Sequence, residues 1–211
     1  MVLRLEGNHF RIDELRPLLR RVSDGAGIEP VQLAVFLDSI DYASDASIDD
    51  HFRKPAGHFV CTGAVPETVP ASVRPLMADP TCRHLIWLSK PLLDEDVEQV
   101  LWVFAHEYRH FMHRTGIVDA NEIACSLMVI HQNEGTTIQY ENLDRPEELD
   151  CELFAHETLK KILGAEAVDS FIQRRCTDPQ GAAYYQRLRH LAHEVKASNP
   201  GVQVTPASGR T

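Results

Sequence analysis

The segment from residue 94 to residue 114 constrains the fold of this chain most strongly, because its apolar residues recur every three or four positions. These apolar residues are Val97, Leu101, Phe104, Tyr108 and Phe111. Asp94 can accept hydrogen bonds from the free amides of a first helical turn and predicts where the helix begins. We therefore expect a helix that buries one face and presents polar side chains on the other.

The polar face of this helix carries the pattern H-E-x-x-H, in which the three defined residues are His106, Glu107 and His110. One helical turn separates the histidines, so both imidazoles can share a tetrahedral Zn²⁺ at ~2.0–2.1 Å. Glu107 would leave the ion to the histidines, take a proton from zinc-bound water and pass it to a leaving amine. Such a pattern arises by chance in roughly one chain in twenty of this composition, but the amphipathic helix favours a metal site.

A catalytic zinc site normally has three protein ligands and one open position, so a third ligand is required. The metzincin continuation is absent, because positions 113 and 116 are His113 and Gly116 instead of glycine and histidine. Farther along the chain, Glu148 and Glu152 lie one turn apart on a predicted helix, whereas Asp150 points about 200° away from Glu148. Glu148 is the predicted third ligand, and Glu152 can hold a ligating imidazole in place.

Other side chains remain candidates for roles at this centre. Asp150 and Glu122 are alternative third ligands. Cys82 precedes a predicted strand, and its thiolate could occupy the open zinc position, although a buried inert cysteine is the simpler interpretation. The sequence does not assign an electrophile or oxyanion donor among His113, Tyr140, His131 and His156.

The segments HEYRH and ELDCELFA together resemble the gluzincin metallopeptidases and are most similar to the small ImmA/IrrE-like peptidases. The resemblance covers about residues 84–160. It implies a minigluzincin-like fold, a Zn²⁺ cofactor and catalysis by Glu107. Relatives of this kind are intracellular peptidases that cut one dedicated protein, commonly a DNA-binding repressor in a stress, mobile-element or defence switch. The expected partner is therefore a protein substrate.

This chain departs from the second motif of that family at three neighbouring positions. The family pattern E-x-E-A-N-x-F-A places glutamate, alanine and asparagine where this chain has Asp150, Cys151 and Glu152. The phenylalanine and alanine that follow are present as Phe154 and Ala155. Cys151 replaces a small residue, and packing is an adequate explanation for it.

Hydrophobic patterns predict an α+β fold, with a small N-terminal β-sheet packed on a mainly helical C-terminal half. The segments HFVCTGAV (58–65) and HLIWLS (84–89) are predicted strands, the second of them at the edge of a substrate cleft. VQLAVFL fits a strand or a helix. Further helices are expected at about 12–22, 119–132, 146–163 and 180–196. Residues 1–196 should form a single domain, and residues 197–211 a disordered tail.

Charge and cysteine usage restrict the possible partners and compartments. The net charge of −10 and the pI of about 5.5 argue against direct binding of nucleic acid. Five cysteines without a C-x-x-C pair fit a reducing compartment. The sequence lacks a signal-peptide core and the ~18 consecutive apolar residues of a membrane span. We therefore expect a cytoplasmic protein.

Two functional hypotheses follow from the sequence. The first is a zinc-dependent endopeptidase of narrow specificity. The second is a non-catalytic regulator or partner-binding protein that keeps a structural zinc in a peptidase-like fold. Glu107 favours the first, because a structural zinc site has no use for a general base beside the metal.

Overall fold

The structure, a computed structural model, describes residues 3–27, 32–53, 56–61, 68–135 and 142–198. Its strands are β1 (Arg4–Gly7), β2 (Leu33–Leu37), β3 (Gly57–Cys61) and β4 (His84–Leu88). Its helices are α1 (Ile12–Gly25), α2 (Asp50–Arg53), α3 (Arg74–Ala78), α4 (Lys90–Leu93), α5 (Val97–Arg114), α6 (Asn121–Glu134), α7 (Pro146–Leu163), α8 (Ala165–Arg175) and α9 (Pro179–Ser198). A short 3-10 helix, Asn142–Asp144, precedes α7. The predicted α+β class is confirmed at this coarse level, because a small sheet precedes a mainly helical half.

The four described strands form one sheet in the order β1-β2-β4-β3. The pairs β1-β2 and β2-β4 are parallel, and β3 runs antiparallel to β4 with Phe59 opposite Ile86. The prediction that HLIWLS lies at the sheet edge is wrong, because β4 is an interior strand and the edge strand beside it is β3, with β1 at the opposite edge. A sequence signal existed for this outcome: the unbroken apolar run of β4 is typical of a strand covered on both faces.

Successive residues of β2 and β4 belong to two cores on opposite faces of the sheet. Val35 and Ile86 pack on one face with α1, α5 and α7. Phe36 and Trp87 pack on the other face with residues of α2 and α3. One face of the sheet therefore packs against α5. A separate core covers the opposite face of the sheet.

The pair of long helices α5 and α7 forms the centre of the helical half. Large apolar side chains on both helices are fully buried in the core that they share with the sheet, among them Phe104, Tyr108, Phe111 and Phe154. Pro146 lies in the first turn of α7, where a missing amide costs nothing, and Gly164 ends the helix with a φ of 93°. The predicted bounds of this helix are confirmed.

Helix α5 begins later than predicted, because a separate short helix, α4, precedes it. Asp96, not Asp94, flanks the first residue of the helix. Ser89 accepts a hydrogen bond from the Leu92 amide at 3.3 Å and begins α4, which ends at Asp94. Asp94 instead pairs with Lys90 one turn before it. The prediction was wrong because the Ser-Lys-Pro sequence starts a separate helical turn.

Most other predicted elements are confirmed, and VQLAVFL contains the strand β2. Helix α8 was not predicted, because its buried apolar residues are few: Val168, Phe171 and Ile172. In the described ranges, no helix combines the length and apolar character needed to cross a membrane. Residues 62–65 of the predicted strand and residues 199–211 of the predicted tail lie outside the described residues.

Candidate metal centre

Three predicted ligands converge at the interface between α5 and α7. The Nε2 atoms of His106 and His110 lie 3.0 Å apart. The Oε2 atom of Glu148 lies 3.4 Å from the first and 3.6 Å from the second. The four-residue spacing on α5 brings the imidazoles together, and the packing of α7 against α5 brings the carboxylate to them.

The spacing of these three atoms suits a tetrahedral zinc ion. Ligands at ~2.0–2.2 Å from a tetrahedral ion lie roughly 3.3–3.5 Å from one another, and the observed separations bracket that range. Two imidazoles and one carboxylate are also a donor set that catalytic zinc uses. The residues present therefore fit Zn²⁺ in both chemistry and spacing.

The second ring nitrogen of each histidine faces another acidic residue of α7. His106 Nδ1 lies 2.9 Å from Glu152 Oε1, an ion-pair distance without the alignment of a hydrogen bond. His110 Nδ1 lies 3.2 Å from Glu147 Oε1. Glu152 is fixed in turn by the Trp102 Nε1 donor at 2.8 Å. Carboxylates in such positions orient the imidazoles and make them stronger ligands.

The carboxylates around the two histidines give the centre a strong preference for positive charge. Burial would lower the pKa of His106, but Glu148 and Glu152 outweigh it and raise that pKa above its ordinary value. Contact with His106 and then His110 lowers the pKa of Glu148 far below its usual range. A proton or a metal cation bound to the imidazoles would neutralise part of this negative charge. A divalent cation could bind all three side chains at the same time.

Glu107 lies beside these side chains without being one of the three ligands. Its Oε2 accepts a hydrogen bond from the Phe59 amide of β3 at 2.8 Å. Burial raises the pKa of Glu107 above its ordinary value, against the lowering effect of His106 and His110. A close approach of β3 to α5 makes this contact possible: a Cβ on Gly57 would lie 2.6 Å from Val103 Cγ1 and 3.2 Å from Glu107 Cγ.

Asp150 is held away from the predicted ligands by a different set of contacts. Its two carboxylate oxygens accept hydrogen bonds from Arg109 at 2.6 and 3.1 Å. His113 Nε2 approaches the same carboxylate at 2.8 Å. Both partners belong to α5, so Asp150 fixes the packing of the two helices, and His113 is engaged with Asp150.

The remaining candidates lie away from the three converging atoms. Glu122 is exposed in the first turn of α6. Cys82 is buried in the core on the opposite face of the sheet, and its Sγ donates to His84 O at 3.2 Å. His131 and His156 do not line the cleft described below, and Tyr140 lies outside the described residues.

Two residues near the centre had no metal-related role in the sequence interpretation. Glu147 supports His110, and its position beside Glu148 on α7 was the available signal. Cys151 is fully buried, and its Sγ lies within 4.8 Å of ring nitrogens of both His106 and His110. The sequence signal for Cys151 was its position about one helical turn after Glu148, because residues three apart share a helix face.

The centre opens into a cleft of about 1250 Å³. His106, Glu107, His110 and Glu148 line one part of the cleft, and residues 57–60 of β3 line another. Apolar side chains of the core that contains Phe36 and Trp87, among them Phe52, Val69 and Met77, extend the lining away from the centre. The cleft therefore joins the predicted ligands to the edge strand.

Comparison of the chain with protein-family models, curated proteins and solved structures gave no match.

Proposed function

We propose that this protein is a zinc-dependent endopeptidase of the gluzincin type, with a minigluzincin-like fold and with His106, His110 and Glu148 as metal ligands. The observation that carries the proposal is the position of Glu107. Its half-buried carboxylate lies beside the three converging donor atoms, lines the cleft and is held there by the Phe59 amide of β3. A site that only binds metal needs no such carboxylate.

Zn²⁺ would supply a Lewis acid that polarises a carbonyl group and lowers the pKa of water towards ~7. Glu107 then acts as general base and later as general acid for the leaving amine. Burial raises the pKa of Glu107 and so makes its carboxylate a stronger proton acceptor than an exposed one. The Phe59 amide keeps the carboxylate pointing at the cleft during both transfers.

The substrate is a protein segment in extended conformation. Within the described residues, β3 pairs on one side only, with β4, and its backbone lines the cleft. An extended segment can hydrogen-bond to the other side of such an edge strand and so place a carbonyl group beside the metal ligands. The resemblance to ImmA/IrrE-like peptidases favours a DNA-binding repressor as the dedicated substrate and the cytoplasm as the compartment.

Digestion of a proteome-derived peptide library tests the activity, because such a library samples many candidate sequences at once. The zinc-loaded chain should produce new peptide termini, identified by mass spectrometry, within a narrow sequence consensus. Glu107→Gln should bind zinc normally and produce none of these termini, because it removes the proton carrier and leaves the ligands in place. Equal numbers of termini from Glu107→Gln and the wild type would contradict the assigned mechanism.

One observation favours the second candidate function, a non-catalytic protein with a structural zinc. Cys151 near the two histidines could make a closed four-ligand site, which is the usual arrangement of structural zinc. The same library distinguishes the two functions. A structural site would give no new termini from the wild type or from Cys151→Ser, although both proteins bind zinc.

A further inference from the structure

Cys151 has the burial and the position of a metal ligand. The residue is 0% exposed, and its Sγ lies no more than 4.8 Å from a ring nitrogen of His106 and from one of His110. Within the described part of the chain, its thiol forms no hydrogen bond. A fully buried sulfur thus lies close to the imidazoles of both proposed histidine ligands.

The geometry of α7 explains why these side chains meet. At 100° per residue, Cys151 lies about 60° to one side of Glu148 and Glu152 about 40° to the other. These three residues therefore share the helix face that packs against α5. Asp150, about 200° from Glu148, contacts Arg109 instead. The rotation of α7 that presents Glu148 to the histidines necessarily presents Cys151 as well.

The other described thiols of the chain lack this position. Cys82 lies in the core beyond the sheet, Cys125 is exposed on α6, and Cys176 is half-buried at the end of α8. None of them belongs to the group of converging donor atoms found among the described residues. Among the thiols that the structure describes, sulfur ligation of a metal at this centre is therefore assigned to Cys151.

We propose that Cys151 is a fourth protein ligand of the proposed metal centre, so that the centre has a closed resting form. The inference rests on the zinc site proposed above. A Zn–S bond of ~2.3 Å places sulfur roughly 3.5 Å from the imidazole nitrogens, so Sγ must approach them by at most about 1.3 Å from the 4.8 Å limit. As the bond forms, the thiol releases its proton to solvent and its sulfur replaces the water in the open position.

The closed form cannot hydrolyse a peptide, because hydrolysis needs a water molecule in the position that the sulfur occupies. Glu107 then faces no water to deprotonate. Release of Cys151 opens this position without loss of the ion, since His106, His110 and Glu148 remain as ligands. A packing role alone requires only a small side chain at position 151 and predicts no sulfur ligation.

Cobalt substitution of the full-length protein tests the proposal by a readout that is independent of activity. Apoprotein loaded with one equivalent of Co²⁺ should show a thiolate-to-cobalt charge-transfer band in the near ultraviolet. Cys151→Ala and Cys151→Ser should lack the band and keep the visible d–d bands of bound cobalt. The serine variant preserves the packing volume and guards against misfolding of the alanine variant, and circular dichroism checks both folds.

Cys82→Ala is the matched control, because it removes a cysteine that is equally buried and lies on the other face of the sheet. It should keep the charge-transfer band. In addition, Cys151→Ser should bind Cd²⁺ on the order of tenfold more weakly than the wild type, since thiolate favours soft metals.

The outcomes separate this inference from the proposed function. Bound cobalt without a charge-transfer band in the wild type, or a band that persists in Cys151→Ser, would overturn ligation by Cys151 and leave the zinc site intact. Absence of cobalt binding would overturn both. A band lost in Cys151→Ser, together with no peptide cleavage by either protein, would support the ligand and reject the peptidase.

Discussion

Glu148 and Asp150 are acidic residues two positions apart on one helix, yet the structure gives them different partners. Glu148 faces His106 and His110, while Asp150 is buried against Arg109. A residue's direction around the helix axis decides which partner it meets, because two residues correspond to about 200° of rotation. We therefore assign metal binding to Glu148 and the alignment of α5 with α7 to Asp150.

Replacement of Asp150 by asparagine should destabilise the protein without loss of the metal site. Asp150 and Arg109 are 3% and 6% exposed, so removal of the negative charge leaves a buried guanidinium without a counterion. Broken buried pairs of this kind cost about 3 kcal/mol in the free energy of unfolding. Urea denaturation measures the loss, and elemental analysis of the folded variant should still find one zinc per chain.

Asp169→Asn provides the control, because Asp169 is exposed on α8 and its replacement should change stability by less than about 0.5 kcal/mol. A folded Asp150→Asn protein without zinc would instead make Asp150 a ligand.

Glu152→Gln should weaken zinc binding while all three proposed ligands remain. The glutamine oxygen can still accept the Trp102 hydrogen bond, but the charge that faces His106 Nδ1 is lost. Outer carboxylates of this type contribute ~10–100-fold to metal affinity. Competition titration with a chromophoric chelator measures the dissociation constant.

Glu147→Gln is the matched variant at His110. The Glu147 side chain is 48% exposed, so solvent screens its charge and its replacement should have a smaller effect than that of Glu152. Zinc binding as tight in Glu152→Gln as in the wild type would refute the role given to Glu152.

At the scale of elements, the contact between β3 and α5 depends on the absence of a side chain at position 57. Gly57→Ala would place a Cβ 2.6 Å from Val103 Cγ1, which belongs to a stiff β-branched side chain. The strand must then move away from the helix that carries Glu107. We expect a loss of about 1–3 kcal/mol in the free energy of unfolding, measured by urea denaturation.

Two further variants make this prediction specific. In a Val103→Ala background, the cost of Gly57→Ala should fall by more than half, because the clashing methyl group is gone. Gly25→Ala should be neutral or slightly stabilising, since nothing lies within 4 Å of its added Cβ. Equal costs of Gly57→Ala in both backgrounds would show that Val103 does not set the approach of strand and helix.

The sequence predicted the elements of this site better than their arrangement. Helix α5 could be recognised because its apolar period extends over five turns, and α7 because Pro146 and Gly164 mark its ends. Strand order depends on pairing between distant segments, which no local pattern encodes, and so β4 was wrongly placed at the edge. The proximity of Cys151 to the histidines also depends on how α7 packs against α5.

At the scale of the whole molecule, the proposed centre connects two long helices of the core. An ion that binds only the folded state stabilises it by mass action, by about 2.7 kcal/mol at one hundred times the dissociation constant. For a chain of this size the melting temperature should rise by about 5–10 °C with saturating zinc. Differential scanning fluorimetry of the metal-free protein with and without zinc measures the shift.

Substitution of two histidines separates specific from nonspecific stabilisation. His110→Ala should abolish the zinc-dependent shift, because it removes a proposed ligand. His193→Ala should preserve it, because His193 is exposed on α9 and far along the chain from the centre. An equal shift in all three proteins would mean that zinc stabilises the fold through another site.

The proposed activity depends on one metal ion held by His106, His110 and Glu148. The most direct measurement is the zinc dissociation constant of Glu148→Gln, compared with those of Asp150→Asn and Glu122→Gln. We predict that Glu148→Gln binds zinc over ~100-fold more weakly than the wild type, a larger loss than that expected for a carboxylate that only contacts a ligating imidazole. The other two variants should bind zinc normally. Wild-type affinity in Glu148→Gln would contradict the account.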